Sequence, residues 1–154
     1  MNIQEIIGTL DLNPHPEGGF YRETCRSEVM HGRHSVSTAI YFLLPNGDVS
    51  HLHRITSDEI WHFYLGDALE ITEILPDKTL RKTLLGKDLK AGQVLQYCVS
   101  AGHWFGAAPC EGTEFALVGC TVAPGFSFDD FELGDRQQLL KQFPEYQEEI
   151  LKLT

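Results

Sequence analysis

Two histidines and a carboxylate stand close together in the segment Gly47-Asp-Val-Ser-His51-Leu-His53-Arg-Ile-Thr-Ser-Asp58-Glu59-Ile-Trp61-His62-Phe-Tyr64-Leu-Gly66. On an extended strand, side chains at i and i+2 share a face, so His51 and His53 would point the same way and one cation could bridge them. Glu59, entering the next strand, could complete a set of two histidines and one carboxylate. That arrangement, with positions left open, holds iron(II) and also suits zinc or manganese. The same residues read equally well without a metal, as hydrogen-bonded pocket histidines and an ion pair between Glu59 and Arg54 or Arg22.

Alternation along the second strand puts Glu59 on one face with Trp61 and Phe63, an apolar wall that would raise its pKa unless it is paired. His62 and Tyr64 then fall on the opposite face, unless a bulge intervenes. There they either pack against another segment or act catalytically, with a histidine held by Asp58 or Glu59 as base and Tyr64 as proton donor. Upstream, His15-Pro-Glu17-Gly18-Gly19-Phe-Tyr-Arg22 has two glycines that permit positive φ or a close approach. Glu17 and Arg22 there are ligand-facing polar residues or solvated turn residues. Downstream, His103, Trp104 and Phe105 lie together, and the two aromatic rings are core or a platform for a ring-containing ligand.

These groups need a frame. Turn signals recur at Pro45-Asn46-Gly47-Asp48, Gly66-Asp67, Pro76-Asp77, Lys90-Ala91-Gly92, Ala101-Gly102, Glu111-Gly112 and Pro124-Gly125. Between them, 37–44, 60–65, 68–75, 81–85, 94–99 and 115–122 have strand composition, a rhythm that predicts an all-β sandwich or barrel. Helix is expected only at the ends. Ile3, Ile6, Ile7 and Leu10 follow helical spacing. After Asp135 as N-cap, Leu139, Leu140 and Phe143 mark one short helix, and beyond Pro144 the residues Tyr146, Ile150 and Leu153 mark another.

The length of 154 residues fits one domain, and 42% hydrophobic with 22% charged residues is ordinary globular composition. Twelve Lys and Arg against 22 Asp and Glu leave a net charge of −10 with no basic stripe, which argues against nucleic acid or an anionic membrane as partner. The N-terminal residues have neither a basic leader nor a long apolar run, so a cytoplasmic protein is expected. Cys25, Cys98, Cys110 and Cys120 form no CxxC pair and are expected to be reduced thiols.

The segment from Gly47 to Gly66 resembles the first cupin motif, a glycine followed by HxH, a glutamate and a second glycine. The whole chain is similar to the uncharacterised cupin family DUF985. The hallmarks run through Asn13 to Thr24, Ser37 to Leu44, Ser50 to Gly66, Ala101 to Gly106, Ala123-Pro-Gly-Phe126 and Phe131-Glu-Leu133. The resemblance implies a jelly-roll barrel, or double-stranded β-helix, filling about residues 15–130 of a single cupin domain, with a helical tail over about 135–154. It also implies a homodimer and a ligand pocket, to which Tyr41 and Trp61 are assigned along with Glu17, Arg22, His51, His103, Trp104 and Phe105. The second motif departs from the pattern: Phe105 stands where metal cupins have a histidine, Ser100 replaces a proline, and His103 is displaced.

Three function classes follow. One is a metal-independent isomerase or epimerase acting on a sugar or sugar nucleotide, with acid–base groups among His53, Asp58, Glu59, His62 and Tyr64. The second is a metal-dependent cupin in which His51, His53 and Glu59, with His103 as a further candidate ligand, hold iron, zinc or manganese. The third is a non-catalytic small-molecule sensor.

Overall fold

The computed structural model describes residues 1–154. Helix α1 (Ile3–Leu10) opens the chain, followed by β1 (Asn13–Pro14), β2 (Phe20–Arg26), β3 (Met30–His31), β4 (His34–Ser35) and β5 (Thr38–Pro45). Next come β6 (Ser50–Arg54), β7 (Asp58–Gly66), β8 (Leu69–Ile74), β9 (Leu80–Leu85) and β10 (Gln96–Val99). Strands β11 (Trp104–Pro109), β12 (Phe115–Ala123) and β13 (Glu132–Leu133) lead to α2 (Arg136–Gln142) and α3 (Gln147–Lys152).

Two antiparallel sheets face each other, ordered β1-β2-β5-β12-β7-β10 and β13-β6-β11-β8-β9, with β3-β4 as a separate hairpin. They form an open jelly roll, as the sequence predicts.

Strand β12 shows why the sheets face as they do. Its even positions, Ala116, Val118, Cys120 and Val122, enter the core between the sheets. Phe115 and Leu117 point outward and are covered by Ile6 of α1. Helix α1 starts at a capping box, in which the Asn2 side chain accepts from the Glu5 amide and the Glu5 carboxylate accepts from the Asn2 amide. The outer face of the five-stranded sheet is closed from the other end of the chain. Leu139, Phe143, Ile150 and Leu153 of the tail bury Leu52, Ile74, Trp104 and Ala108. The Leu52 amide donates to the Leu153 carbonyl at 2.8 Å, which locks the tail onto β6. Asp135 caps α2 by accepting from the Gln138 amide.

Between the sheets, Phe42, Trp61 and Phe105 are fully buried. Each contributes roughly 1.5–3 kcal/mol by burial. Trp61 meets Phe105 edge-on at 6.4 Å and Phe42 at 5.9 Å. Across the six-stranded sheet, register aligns Tyr97, Trp61, Cys120, Ile40 and Glu23. Across the other it aligns His53, Phe105, Glu73 and Arg81. The Trp61–Phe105 contact therefore stands as a wall. On one side a polar chamber contains His53 and Cys120; on the other, His103 and Tyr97 both bond the buried Glu73.

Candidate functional site

A cavity of about 720 Å³ opens between the sheets on the His53 side of that wall. Its inner end is lined by His15, Glu17, His53, Glu59 and Cys120. Its outer part is lined by Tyr21, Glu23, Arg26, Arg33, His34 and Phe128.

Glu17 reaches the interior because of the two glycines that follow it. Gly18 has φ +108°, and a Cβ there would lie 2.0 Å from the Val49 carbonyl oxygen. Gly19 has φ +72°, and its Cβ would lie 2.6 Å from the Leu43 carbonyl oxygen. Only glycine lets the loop press this closely against its neighbours. The His51 amide then donates to the Glu17 carbonyl at 2.8 Å, joining loop and strand. The Glu17 carboxyl meets His53 Nε2 at 3.1 Å and accepts from the Ser50 hydroxyl at 2.9 Å. On the other side of the ring, His53 Nδ1 donates to the His51 carbonyl at 2.7 Å. That bond fixes the tautomer of the neutral ring and leaves Nε2 as the atom that exchanges a proton with Glu17.

Burial sets the charge state of this floor. Glu17 is pushed up to about 8 by desolvation, against the opposing effect of Ser50. Glu59 is pushed up to about 7 by desolvation, with His53 pulling it down and Glu17 pushing it further up. His53 is lowered by burial, partly offset by Glu59. His15 falls to about 4, chiefly through burial and then through His53. Its Nδ1 accepts from the Glu17 amide at 3.1 Å. Burial also raises the Cys120 thiol, with Glu59 beside it adding to the rise, so it stays protonated. At neutral pH the floor therefore holds neutral imidazoles, a mostly protonated Glu17 and a Glu59 near its midpoint.

The structure divides the residues singled out from the sequence. Glu17, His53 and Glu59 come together, with Phe105 packed on the His53 ring at 4.1 Å. Arg22 borders the cavity, but its register beside Tyr41 turns its guanidinium to the outer sheet face, 5.8 Å from the Tyr41 ring. The others are elsewhere. His62 is on the outer sheet face, bonded to Thr121 and Gln96. Tyr64 sits at a bulge in the β7–β12 pairing and lies over Gly119 on that face, stacked on His62 and edge-on to Tyr41. Asp58 accepts from the Ala101 amide. Trp61 is core, and Trp104 is buried under the C-terminal helices with Arg54 4.5 Å from its ring. His103 belongs to the Glu73 cluster beyond the wall. Arg54 pairs with Glu132 rather than Glu59.

The donor set does not fit the expected metal site. His51 is outside the lining, His53 Nδ1 is held by a carbonyl, and no three His, Cys, Asp or Glu side chains converge as ligands. His15, Tyr21, Glu23, Arg26, Arg33, His34 and Cys120 were missed as site residues. For His15 the signal was present, since it stands two residues before Glu17 in a glycine-bearing loop.

The sequence profile of the family described as Cupin superfamily (DUF985) matches residues 4–134. The chain belongs to the cupin superfamily. Among solved structures, this cupin is similar to protein SO0799 from Shewanella oneidensis, at 44% identity and TM-score 0.96, covering 100% of this chain and 98% of that one. A hypothetical protein from Leishmania major aligns at 33% identity and TM-score 0.96, covering 100% and 99%. Uncharacterized protein YML079W of Saccharomyces cerevisiae is 28% identical over 148 residues, 84% of this chain and 73% of the yeast protein. Oxalate decarboxylase from Bacillus subtilis shares the fold at TM-score 0.62 and 16% identity, with 92% of this cupin covering 36% of that chain. No helix of this cupin is long and apolar enough to cross a membrane.

Proposed function

We propose that this cupin binds a small molecule and moves a proton on it, as a metal-independent isomerase or epimerase acting on a sugar or sugar-nucleotide type of substrate. One observation carries the reading: the Glu17–His53 pair and Glu59 share the floor of a cavity large enough for such a ligand. Two carboxyls raised into the neutral range beside a tautomer-fixed imidazole are what acid–base chemistry requires.

In this mechanism the Glu59 carboxylate takes the proton from the carbon next to a ketone. The protonated Glu17 carboxyl turns its O–H from His53 Nε2 to the enolate oxygen. Tyr21, on the cavity wall and edge-on to His15 at 4.5 Å, delivers a proton to the opposite face of the carbon. Tyr21 thus takes the acid role first assigned to Tyr64. One C–H bond breaks and one forms, Glu59 gives its proton to solvent and Tyr21 takes one back, and no oxidant or reductant is needed.

The test is solvent exchange. Ketoses, free and nucleotide-linked, incubated in D2O with the protein should lose the proton next to the carbonyl by NMR. Glu59→Gln should slow this by a factor on the order of 10²–10⁴. Exchange at the wild-type rate in Glu59→Gln would remove the base assignment.

A further inference from the structure

The outer part of the cavity differs from its floor in charge. Arg26 reaches the rim from β2, and Arg33 and His34 reach it from the β3–β4 hairpin. Each is already oriented by an acid. Arg26 makes a bidentate pair with Glu23, Nε at 2.9 Å and Nη2 at 2.8 Å, and Nη2 also donates to the Phe126 carbonyl at 3.1 Å. Arg33 Nη2 donates to Asp130 at 2.8 Å, Arg33 Nε donates to His34 Nε2 at 3.3 Å, and that same nitrogen lies 3.3 Å from Asp130.

These contacts use one edge of each guanidinium. A guanidinium carries five N–H donors in a rigid fork, and neither Arg26 nor Arg33 has a partner for Nη1. The chain as a whole carries −10, yet it brings two arginines and a histidine to this rim.

We propose that the ligand carries an oxyanion, phosphate or carboxylate, held at the rim by the Nη1 edges of Arg26 and Arg33, while its uncharged end occupies the His53–Glu17 floor. The proposal rests on the reading of the cavity as the ligand site, and it narrows the substrate to an anionic molecule. Glu23 and Asp130 act as positioning residues that hold the two forks open toward the cavity. Phe128, half-exposed and edge-on to Phe126 at 4.9 Å, offers an apolar ring beside the same anion.

The test is isothermal titration of the full chain with four probes: inorganic phosphate, uridine diphosphate, succinate and glucose. At least one oxyanion probe should bind, with affinity falling as salt rises. Arg33→Ala should weaken it roughly ten- to hundredfold, the range expected for losing a charge-assisted hydrogen bond. Arg33 is exposed, so this variant should keep the wild-type Tm; Arg26→Ala, which also loses the Phe126 contact, is the second variant. Preference between phosphate and succinate identifies the source of the oxyanion. Equal anion affinity in wild type, Arg33→Ala and Arg26→Ala overturns the rim assignment and leaves the floor chemistry untouched. Glucose binding that depends on His53 while no anion binds does the same. No binding of any probe, together with no solvent exchange, overturns both.

Discussion

At the scale of single residues, the floor has a pH signature whose sign follows from burial. Glu17 keeps its proton up to about 8 in the folded protein, whereas in the unfolded chain it loses it near the ordinary carboxylate value. Its contribution to stability is complete below that ordinary value and is lost as pH rises to about 8. Glu59 acts in the same sense up to about 7. His15 acts oppositely: its folded value is depressed to about 4, so its contribution is present above the ordinary imidazole value and lost as pH falls to about 4. Urea midpoints measured against pH should therefore peak in the mildly acidic range and decline toward pH 8, and Glu17→Gln should flatten that decline. An unchanged slope in the variant would show that Glu17 titrates in an ordinary environment. That His53 and Glu59 face the interior was legible from their types and from alternation, which also placed His62 and Tyr64 on the opposite face. The pairing of His53 with Glu17 was not legible, because it joins positions 36 residues apart through a loop whose path is set by contacts with Val49 and Leu43.

At the scale of elements, the loop before β2 is the part least tolerant of change. Gly18→Ala should cost about 2 kcal/mol or more, since an alanine at that φ is strained and its Cβ meets a backbone oxygen that cannot move aside. Thermal unfolding should show the loss, and the variant should release Glu17 from His53. Gly119→Ala meets only the mobile end of Tyr64, so it should shift that ring with a far smaller effect on stability. Besides the two-residue strands, two longer ones escaped the sequence reading, for opposite reasons. Strand β2 carries Glu23 and Arg26 on its cavity side, so its inward face looks like a solvated one. Strand β11 is buried along its whole length, with Phe105 and Ala107 inward and Trp104 and Ala108 under the tail, so no alternation marks it. The bulge at Tyr64, opposite Leu117 and Val118, has no mark of its own in β7; the nearest sign is Gly119, which makes room for the Tyr64 ring.

At the scale of the whole molecule, the two ends of the chain close opposite outer faces of the sandwich and leave the space between the sheets for the cavity. Leu139→Ala should cost roughly 2–5 kcal/mol by opening a void beneath α2. A Tm fall on the order of 5–15 °C follows for a chain of this size, with rim and floor geometry retained. All three helices were legible because their apolar spacing is local, whereas the cavity was not, because its wall is assembled from strands distant in sequence.

The wall of Trp61 and Phe105 also gives the protein a built-in optical reporter. The chain has two tryptophans, one on each side of the five-stranded sheet: Trp61 beside the cavity wall, and Trp104 beneath the tail helices with Arg54 against its ring. In a Trp104→Phe protein the remaining emission comes from Trp61, whose indole Nε1 is buried without a partner, so it should be blue-shifted. Occupancy of the floor should perturb it through His53 and Phe105. In Trp61→Phe, emission should instead follow detachment of the helical tail. Ligand capture and end-fraying can thus be followed as separate colours of light in an unlabelled molecule.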